Sequence, residues 1–379
     1  MRRGAIALLW ALLVVIMLSV WMGISLRNLA VEREFMSRTS IPLQLHARYM
    51  AKAGLVETLN WFRRQDSQPV TAFNPGPGDS QDPARGIVFQ QRIMRNTFIG
   101  YEVLRANVRD ISSTRGYLPG TLWELTSIGY VRYRDRLGVW HMVRYPIKTE
   151  IIRLTLAPPV ESAVVAPYGW RVWVKTRARV RGGNSAGIAV ARWTGRPRVY
   201  GGTVTGTPRF QYISDPEREL RPVEYYRSAV SIPSVFGISE NSVRSVADLV
   251  TGELEDLPED FSYLLVYFDG DLRLTRKPLR GTGVLIVNGD LRIDNGGFNY
   301  FSGLIYVRGN VWIRGNVLIS GSLVLEEGHG DNVDLQGTRD YVEITYDRNI
   351  LNQVRARIGN YRFSAAFLPD ESVERSFGF

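Results

Sequence analysis

Residues Gly4 to Leu26, GAIALLWALLVVIMLSVWMGISL, run for 23 positions without a charge, directly behind Met1-Arg2-Arg3. A helix needs ~20 predominantly apolar residues to cross the hydrocarbon core of a bilayer, so this stretch is long enough to span with some tilt. A cleaved secretory signal and a buried soluble helix are the rival readings. The apolar core of a signal usually runs for ~7–15 residues before small residues of the A-x-A kind. This stretch is longer, and no such site follows it. A retained membrane anchor is therefore expected. Arg2 and Arg3 on the short side direct the N-terminus to the cytoplasm. Arg27, Arg33 and Arg38 compete on the other side, with Glu32 and Glu34 among them.

Helix formers continue to about Arg64, interrupted at Ile41-Pro42, where a lost backbone donor and a ring clash predict a kink or break. Beyond it Leu45, Tyr49, Ala53, Val56, Leu59 and Phe62 fall at steps of three or four. That spacing predicts an amphipathic helix laid on a soluble domain.

The 379 residues suffice for two or three domains. Net charge is +10 and the pI is near 9.8, with nearly all the basic residues arginine. The arginines are scattered and no nucleic-acid-binding motif accompanies them, so solubilisation is the expected role and nucleic acid is not an expected partner. The absence of cysteine removes disulfides, thiol catalysis and cysteine metal sites together. His46, His141 and His329 lie far apart in different segments, and no metal triad is expected of them. No nucleophile elbow, phosphate loop or dinucleotide fingerprint appears, so neither cofactor nor catalytic residue is expected.

The fold class read from these patterns is α+β, mostly β. Residues 1–64 form the anchor and helical stalk. Residues 66–83, dense in Pro, Gly, Ser and Asp, form a linker expected to be mobile. Residues 86–213 have β texture, expected as an antiparallel domain. Its clearest strand is Tyr168 to Arg181, with Trp170, Val172, Val174, Thr176, Ala178 and Val180 on one face. Arg171, Lys175, Arg177, Arg179 and Arg181 on the other face read as a solvated strand face, with polyanion tracking as the alternative. Residues 214–260 read as a connector with one short helix, Ser242 to Leu249.

Residues 261–340 repeat. Short apolar strands precede Gly270, Gly289, Gly309 and Gly321, each followed by Asp, Asn or Ser and then an alternating strand. Units that cannot each bury their own apolar face are expected to stack into a parallel β-helix, with a hairpin meander as the rival. Asp269, Asp271, Asp290 and Asp294 could converge across coils to bind calcium or perform acid/base work, but their place in the turn motif accounts for them without a ligand. Residues 341–379 hold a last strand (Tyr341 to Tyr346) and a short helix (Asn349 to Arg357). Tyr361, Phe363, Phe367, Phe377 and Phe379 are expected to cap the open coil end.

Two blocks resemble a known family. Arg3-Gly4-Ala5 opening the uncharged helix, then Val31-Glu32-Arg33-Glu34 and Tyr49-Met50-Ala51-Lys52-Ala53-Gly54-Leu55-Val56-Glu57, resemble the PilX-type N-terminal domain of type IV pilus minor pilins and pilus-assembly proteins. Lys52 stands where that domain usually carries glutamate, and type II secretion pseudopilins share much of the pattern. Gly283 to Ile293 and Phe301 to Gly309 resemble the C-terminal repeat domain of PilX-like proteins, a shape related to polymer-forming bactofilins. The resemblance implies a pilin-like helix-on-sheet middle domain and prepilin peptidase cleavage after Gly4, with Ala5 the first mature residue. Leu9 stands where most major pilins carry a glutamate, which leaves processing open. It further implies a non-enzymatic minor pilin-like component, single-pass in the inner membrane with its bulk in the periplasm or on a surface pilus. Its partners would be other pilin or pseudopilin subunits, inner-membrane assembly components, lipid, and a surface or glycan ligand. A membrane-anchored bactofilin-like scaffold and a tethered carbohydrate-active β-helix enzyme are the alternatives.

Overall fold

The computed structural model describes residues 42–135, 137–166, 168–191, 196–213, 230–326 and 332–364. The stretch Gly4–Leu26, the Gly4-Ala5 junction, His329 and Phe367, Phe377 and Phe379 lie outside the described residues. No helix among the described residues is long and apolar enough to cross a membrane. The described residues form two compact units, drawn from Met1–Trp61, Phe73–Val108 and Leu125–Lys148 in the first and from Phe62–Ala72, Arg109–Glu124 and Thr149–Phe379 in the second.

The first unit lays a helix on an antiparallel sheet. Helix α1 covers residues 42–64. The sheet contains β1 (Gly86–Met94), β2 (Thr97–Leu104), β3 (Val108–Asp110), β4 (Leu122–Arg134) and β5 (Trp140–Ile152), in the order β1-β2-β4-β5 with β3 beside β4. β1 and β2 pair antiparallel, and β2 pairs antiparallel with β4 with Tyr101 opposite Gly129. The buried stripe of α1 is Ala47, Ala51, Gly54-Leu55 and Thr58-Leu59. Leu45, Tyr49 and Val56 of the expected stripe are exposed. Small residues set the contact. A side-chain carbon at Gly129 would stand 1.9 Å from the Ala47 carbonyl oxygen, and one at Gly54 would stand 2.4 Å from Ser127 Oγ. Larger residues on that face would prop the helix off the sheet and open voids. Residues 65–85 hold no helix or strand, yet Phe73 is buried edge-on against Trp61, at 4.8 Å between ring centroids.

The second unit is a parallel β-solenoid. Residues 162–213 supply β6 (Ser162–Val165), β7 (Val172–Val174), β8 (Ala178–Arg181), β9 (Ala186–Ala191), β10 (Arg198–Val199), β11 (Thr203–Thr205) and β12 (Phe210–Ile213). Residues 249–345 supply β13 (Leu249–Thr251), β14 (Phe261–Phe268), β15 (Leu272–Leu274), β16 (Arg280–Val287), β17 (Leu291–Ile293), β18 (Asn299–Val307), β19 (Val311–Arg314), β20 (Val317–Leu325), β21 (Val333–Gln336) and β22 (Val342–Thr345). The longer strands β14, β16, β18 and β20 stack in one sheet, and β15, β17, β19 and β21 in a second. Every pairing among them is parallel, which makes the repeat a coil and not a meander of hairpins.

The two segments are spliced. The first half of β20 pairs with β22 and its second half with β6, so two distant stretches complete one coil. β21 then pairs with β7 and β22 with β8, and β9 to β12 extend the stack, all in parallel. The expected antiparallel character therefore does not extend to residues 162–213. The single strand expected over Tyr168–Arg181 is a 3-10 turn (Gly169–Arg171), β7, a corner and β8. Alternation conceals that corner, because Val172, Val174, Ala178 and Val180 all point into the solenoid interior. Arg177 makes the bend with a left-handed φ of 58°, and no glycine marks it.

The outer face of the long sheet is covered as well. Helices α2 (Ile232–Phe236) and α3 (Glu240–Val246), where one helix was expected, and α4 (Arg348–Arg357) join Leu265, Tyr267, Val284, Ile286, Leu304, Tyr306 and Val324 in a second core. Val266, Leu285, Ile305 and Leu323 on the opposite face fill the solenoid interior. Strands buried on both faces have no wet side, which explains their unbroken apolar runs. The described part of the tail does not cap a coil end. β23 (Arg362–Phe363) pairs antiparallel with Ile151 and Ile152 of β5. Fully buried Tyr361 packs beside Phe62 at 5.0 Å, donates to the Gly120 carbonyl at 2.5 Å and accepts from the Val70 N–H at 3.0 Å.

Gly129→Ala is expected to destabilise the first unit by about 1–3 kcal/mol, because the new methyl meets backbone that cannot yield. Gly78→Ala, whose methyl would meet nothing within 4 Å, is expected to move the urea midpoint little.

Candidate functional site

The four carboxylates singled out in the repeats lie at solenoid corners and bond to the next coil or to a neighbouring arginine. Asp271 Oδ1 accepts from the Asp290 N–H at 3.0 Å, and Asp290 Oδ1 from the Asn310 N–H at 2.7 Å and its Nδ2 at 3.0 Å. Asn310 Oδ1 continues the ladder to Asn332 Nδ2 at 2.8 Å. A corner side chain thus satisfies the backbone donor above it, one that a parallel sheet cannot pair at a bend. Asp294 pairs with Arg292 at 2.7 Å, and Asp269 with Arg244 and Asn288 at 2.8 and 2.9 Å. Calcium binding requires several carboxylates to converge on one point. Among the described residues no group of three His, Asp or Glu side chains could hold a metal ion.

A second, denser polar cluster was not anticipated. The α3 carboxylate Glu240 accepts from Tyr267 Oη at 2.5 Å and from an Arg308 amino group at 2.9 and 3.0 Å. Arg308 also reaches Glu326 at 2.7 Å and Asn288 Oδ1 at 2.8 Å. Tyr306 is fully buried beside Glu326. Burial, and after it the Glu326 carboxylate, pushes the Tyr306 hydroxyl far above the ordinary tyrosine value. Burial and the bond to Glu240 do the same to Tyr267. Each carboxylate of this cluster already faces a cation or a hydroxyl, so the cluster clamps α3 to the coils. The available signal was Tyr267 and Tyr306, polar-tipped residues inside apolar runs that require partners when buried.

The cationic row of residues 171–181 ties the splice. Lys175 pairs with Asp334 at 2.8 Å and Arg181 with Glu343 at 3.3 Å. Arg179 lies over the Tyr341 ring at 3.8 Å, and Arg177 donates to the carbonyls of Thr338 and Arg339 at 2.6 and 2.8 Å. Arg171 stacks on Trp170 at 4.5 Å. Lys175, Arg177, Arg179 and Arg181 bind the neighbouring coil, which leaves little of the row to follow a polyanion. His46 contacts the Pro42 carbonyl on α1, and His141 contacts Asp135 at 2.8 Å beside β5. An open groove of about 550 Å³ beside β14 is lined by Leu254, Glu255, Glu259, Arg276, Lys277 and Arg280, with charges of both signs.

Asp290→Ala is expected to cost about 1–2 kcal/mol by orphaning the Asn310 donor, and Asp290→Asn clearly less, read from urea midpoints. The tyrosines set an alkaline limit. Their raised values contribute stability that is complete below about pH 10 and lost as pH climbs beyond it. Tyr306→Phe is expected to flatten that loss in alkaline unfolding curves. Comparisons with known proteins add little: no family model matches the chain, and no curated protein matches it. One solved structure shows a weak likeness, the competence-associated pilin ComZ from Thermus thermophilus. It is 13% identical, with 85% of this chain and 96% of that one covered, at a TM-score of 0.20. A superposition of that quality does not establish a shared fold.

Proposed function

We propose that this chain is a pilin-like structural subunit, a minor component of a type IV pilus or a related filament that works by packing and recognition without catalysing a reaction. The observation that carries the reading is α1 laid on an antiparallel sheet, placed in sequence just after the uncharged stretch Gly4–Leu26. An apolar helix that leaves a membrane and continues onto a sheet can pack among like helices and hold a β body outside them. In this reading residues 4–26 cross the inner membrane and the described residues lie on the periplasmic side. The partners are other pilin or pseudopilin subunits and the machinery that assembles them. The solenoid is the body presented for priming, for capping or for contact with a surface. The PilX-type resemblance of the sequence supports a pilin-like subunit, and a type II secretion pseudopilin, which shares much of that pattern, is the alternative within the same class.

A second reading, a scaffold that polymerises through its coils, is favoured by the stack ends. Among the described residues β15 has a strand partner on one side, as do β10 and β11 at the far end. Such edges offer backbone groups to another chain. The mass of the N-terminus in membrane fractions, with and without the prepilin peptidase of the producing cell, separates the two. The expected mass begins at Ala5 and reverts to an uncut chain without the peptidase. Uncut Met1 in both backgrounds, together with filaments formed by the purified full chain alone, would replace the pilin reading with the scaffold.

A further inference from the structure

The tips of the two hairpins of the first unit carry apolar side chains that the fold does not use. The β1–β2 tip exposes Ile93 and Met94, the latter 69% exposed, and the β4–β5 tip exposes Leu137 (85%), Val139 and Trp140. The tips are adjacent, since the Arg134 N–H donates to the Asn96 carbonyl at 2.9 Å and Phe98 packs against Trp140 at 5.8 Å. They are also built. Asp135 Oδ1 accepts from the Val139 N–H at 2.8 Å, the Asp135 N–H donates to the Val139 carbonyl at 2.9 Å, and Arg134 Nε donates to the Gly138 carbonyl at 2.6 Å. The turn therefore holds Leu137 outward instead of letting it fold back.

Charge around these side chains is predominantly positive. The described residues of 92–98 and 132–144 include five arginines and a single carboxylate, Asp135, which is paired with His141 at 2.8 Å. Arg92, Arg95, Arg134 and Arg144 are exposed, and Arg132 lies over the Trp140 ring at 4.5 Å.

The tips also have a direction. Residues 47–51 of α1 lie over Gly129, and Gly54 lies over Ser127, so the helix runs opposite to β4. Followed backwards from residue 47, the helix heads toward Arg134 and the tips. Fifteen residues separate its first described residue, Pro42, from the apolar stretch that ends at Leu26. Fully extended, they reach at most ~50 Å.

We propose that the two hairpin tips dock on the surface of an anionic lipid bilayer, with Met94 and Leu137 entering the headgroup region and the arginines meeting lipid phosphates. Aliphatic tips ringed by cations, with a tryptophan at their base, suit the interface between headgroup and acyl chain. Nucleic acid suits them less. Its bases stack on aromatic faces, and the Trp140 face is already occupied by Arg132. A second copy suits them less again, because a self-contact would bring arginine rings of like charge together. The direction of the tips toward the bilayer rests on residues 4–26 lying in it, as the proposed function holds. Their charge and exposure do not depend on that.

The chain has no cysteine, so Met94→Cys and Leu137→Cys in the full chain can each carry one environment-sensitive fluorophore, with Asn352→Cys on α4 as the reference position. The labelled chains are reconstituted into phosphatidylcholine vesicles with and without phosphatidylglycerol. With the anionic lipid, labels at 94 and 137 are expected to shift to the blue, become quenchable by nitroxide lipids and lose access to aqueous iodide. The label at 352 should not change. High salt, or Arg92→Gln with Arg95→Gln and Arg144→Gln, should reverse the shift, by roughly fivefold in the docked-to-free ratio per arginine removed. Labels that stay open to iodide in anionic vesicles with which the chain co-floats would overturn the docking and leave the anchor intact. Shielding that rises with protein concentration in detergent would overturn it in favour of a second copy. A shift with single-stranded DNA but not with anionic lipid would overturn it in favour of nucleic acid. A chain that floats with neither vesicle would overturn docking and anchor together.

Discussion

A parallel stack of coils leaves backbone donors and acceptors open where the chain stops, and in this protein the stop at β22 is closed by strands that come much earlier in sequence. β20 accepts β22 along one half and β6 along the other, so neither segment completes the coil alone. The interior core and the outer core both draw residues from the two segments that this ladder joins. Residues 162–213 and 249–345 must therefore form together. Many of their contacts are remote in sequence, a topology that slows folding. Cutting the chain between them would expose β21, β22 and β20 as edges, with Val333, Val342 and Leu323 losing their cover.

Burial on both faces of the long strands has a second consequence. A strand with a wet side can carry polar groups at alternate positions without cost, whereas here every such group needs a partner. Tyr267 and Tyr306 point outward from the solenoid into the core under α2, α3 and α4, where the Tyr267 hydroxyl donates to Glu240 and Tyr306 lies beside Glu326. Arg308 pairs with both carboxylates. The corners follow the same logic with smaller side chains, because Asp271, Asp290 and Asn310 answer backbone donors that the bends leave open. Polar residues that resemble a ligand site in a linear reading are accounted for by the geometry of stacking.

Much of the solenoid was legible in the chain. The repeats of 261–340, the corners at Gly270, Gly289 and Gly309 and the parallel stacking follow from short strands that cannot bury themselves singly, whereas Gly321 is no corner but lies inside β20 opposite Gly303 of β18. The helices near 242 and 349 lie within a few residues of where spacing put them. What stayed hidden has identifiable causes. The buried face of α1 was misplaced because Leu45, Tyr49 and Val56 are larger than Ala47, Ala51 and Gly54, yet close approach to Gly129 rewards the smaller set. The corner at Arg177 was hidden because alternation continues through it and a left-handed arginine gives no warning. Of the candidate site, the four aspartates were placed in the turn motif by sequence, but their bonds to the next coil and to Arg244 and Arg292 were not foreseen. The Glu240–Arg308–Glu326 cluster was not, since its members lie in separate segments.

By itself the sequence determined the uncharged stretch at residues 4–26, the helix that follows, the β character of the remainder, the repeat and the excess of arginine. These are local properties, set by composition and by periods of two and 3.6 residues. Only the tertiary structure decided that residues 162–213 belong to the solenoid, that small residues choose the face of α1, and that the cationic row of 175–181 bridges coils instead of lining an open face. It also decided that Met94 and Leu137, far apart in sequence, share one exposed basic tip. Each of these depends on which distant segment arrives beside which. That is settled by backbone pairing and close packing between segments, and neither leaves a periodic mark on the chain.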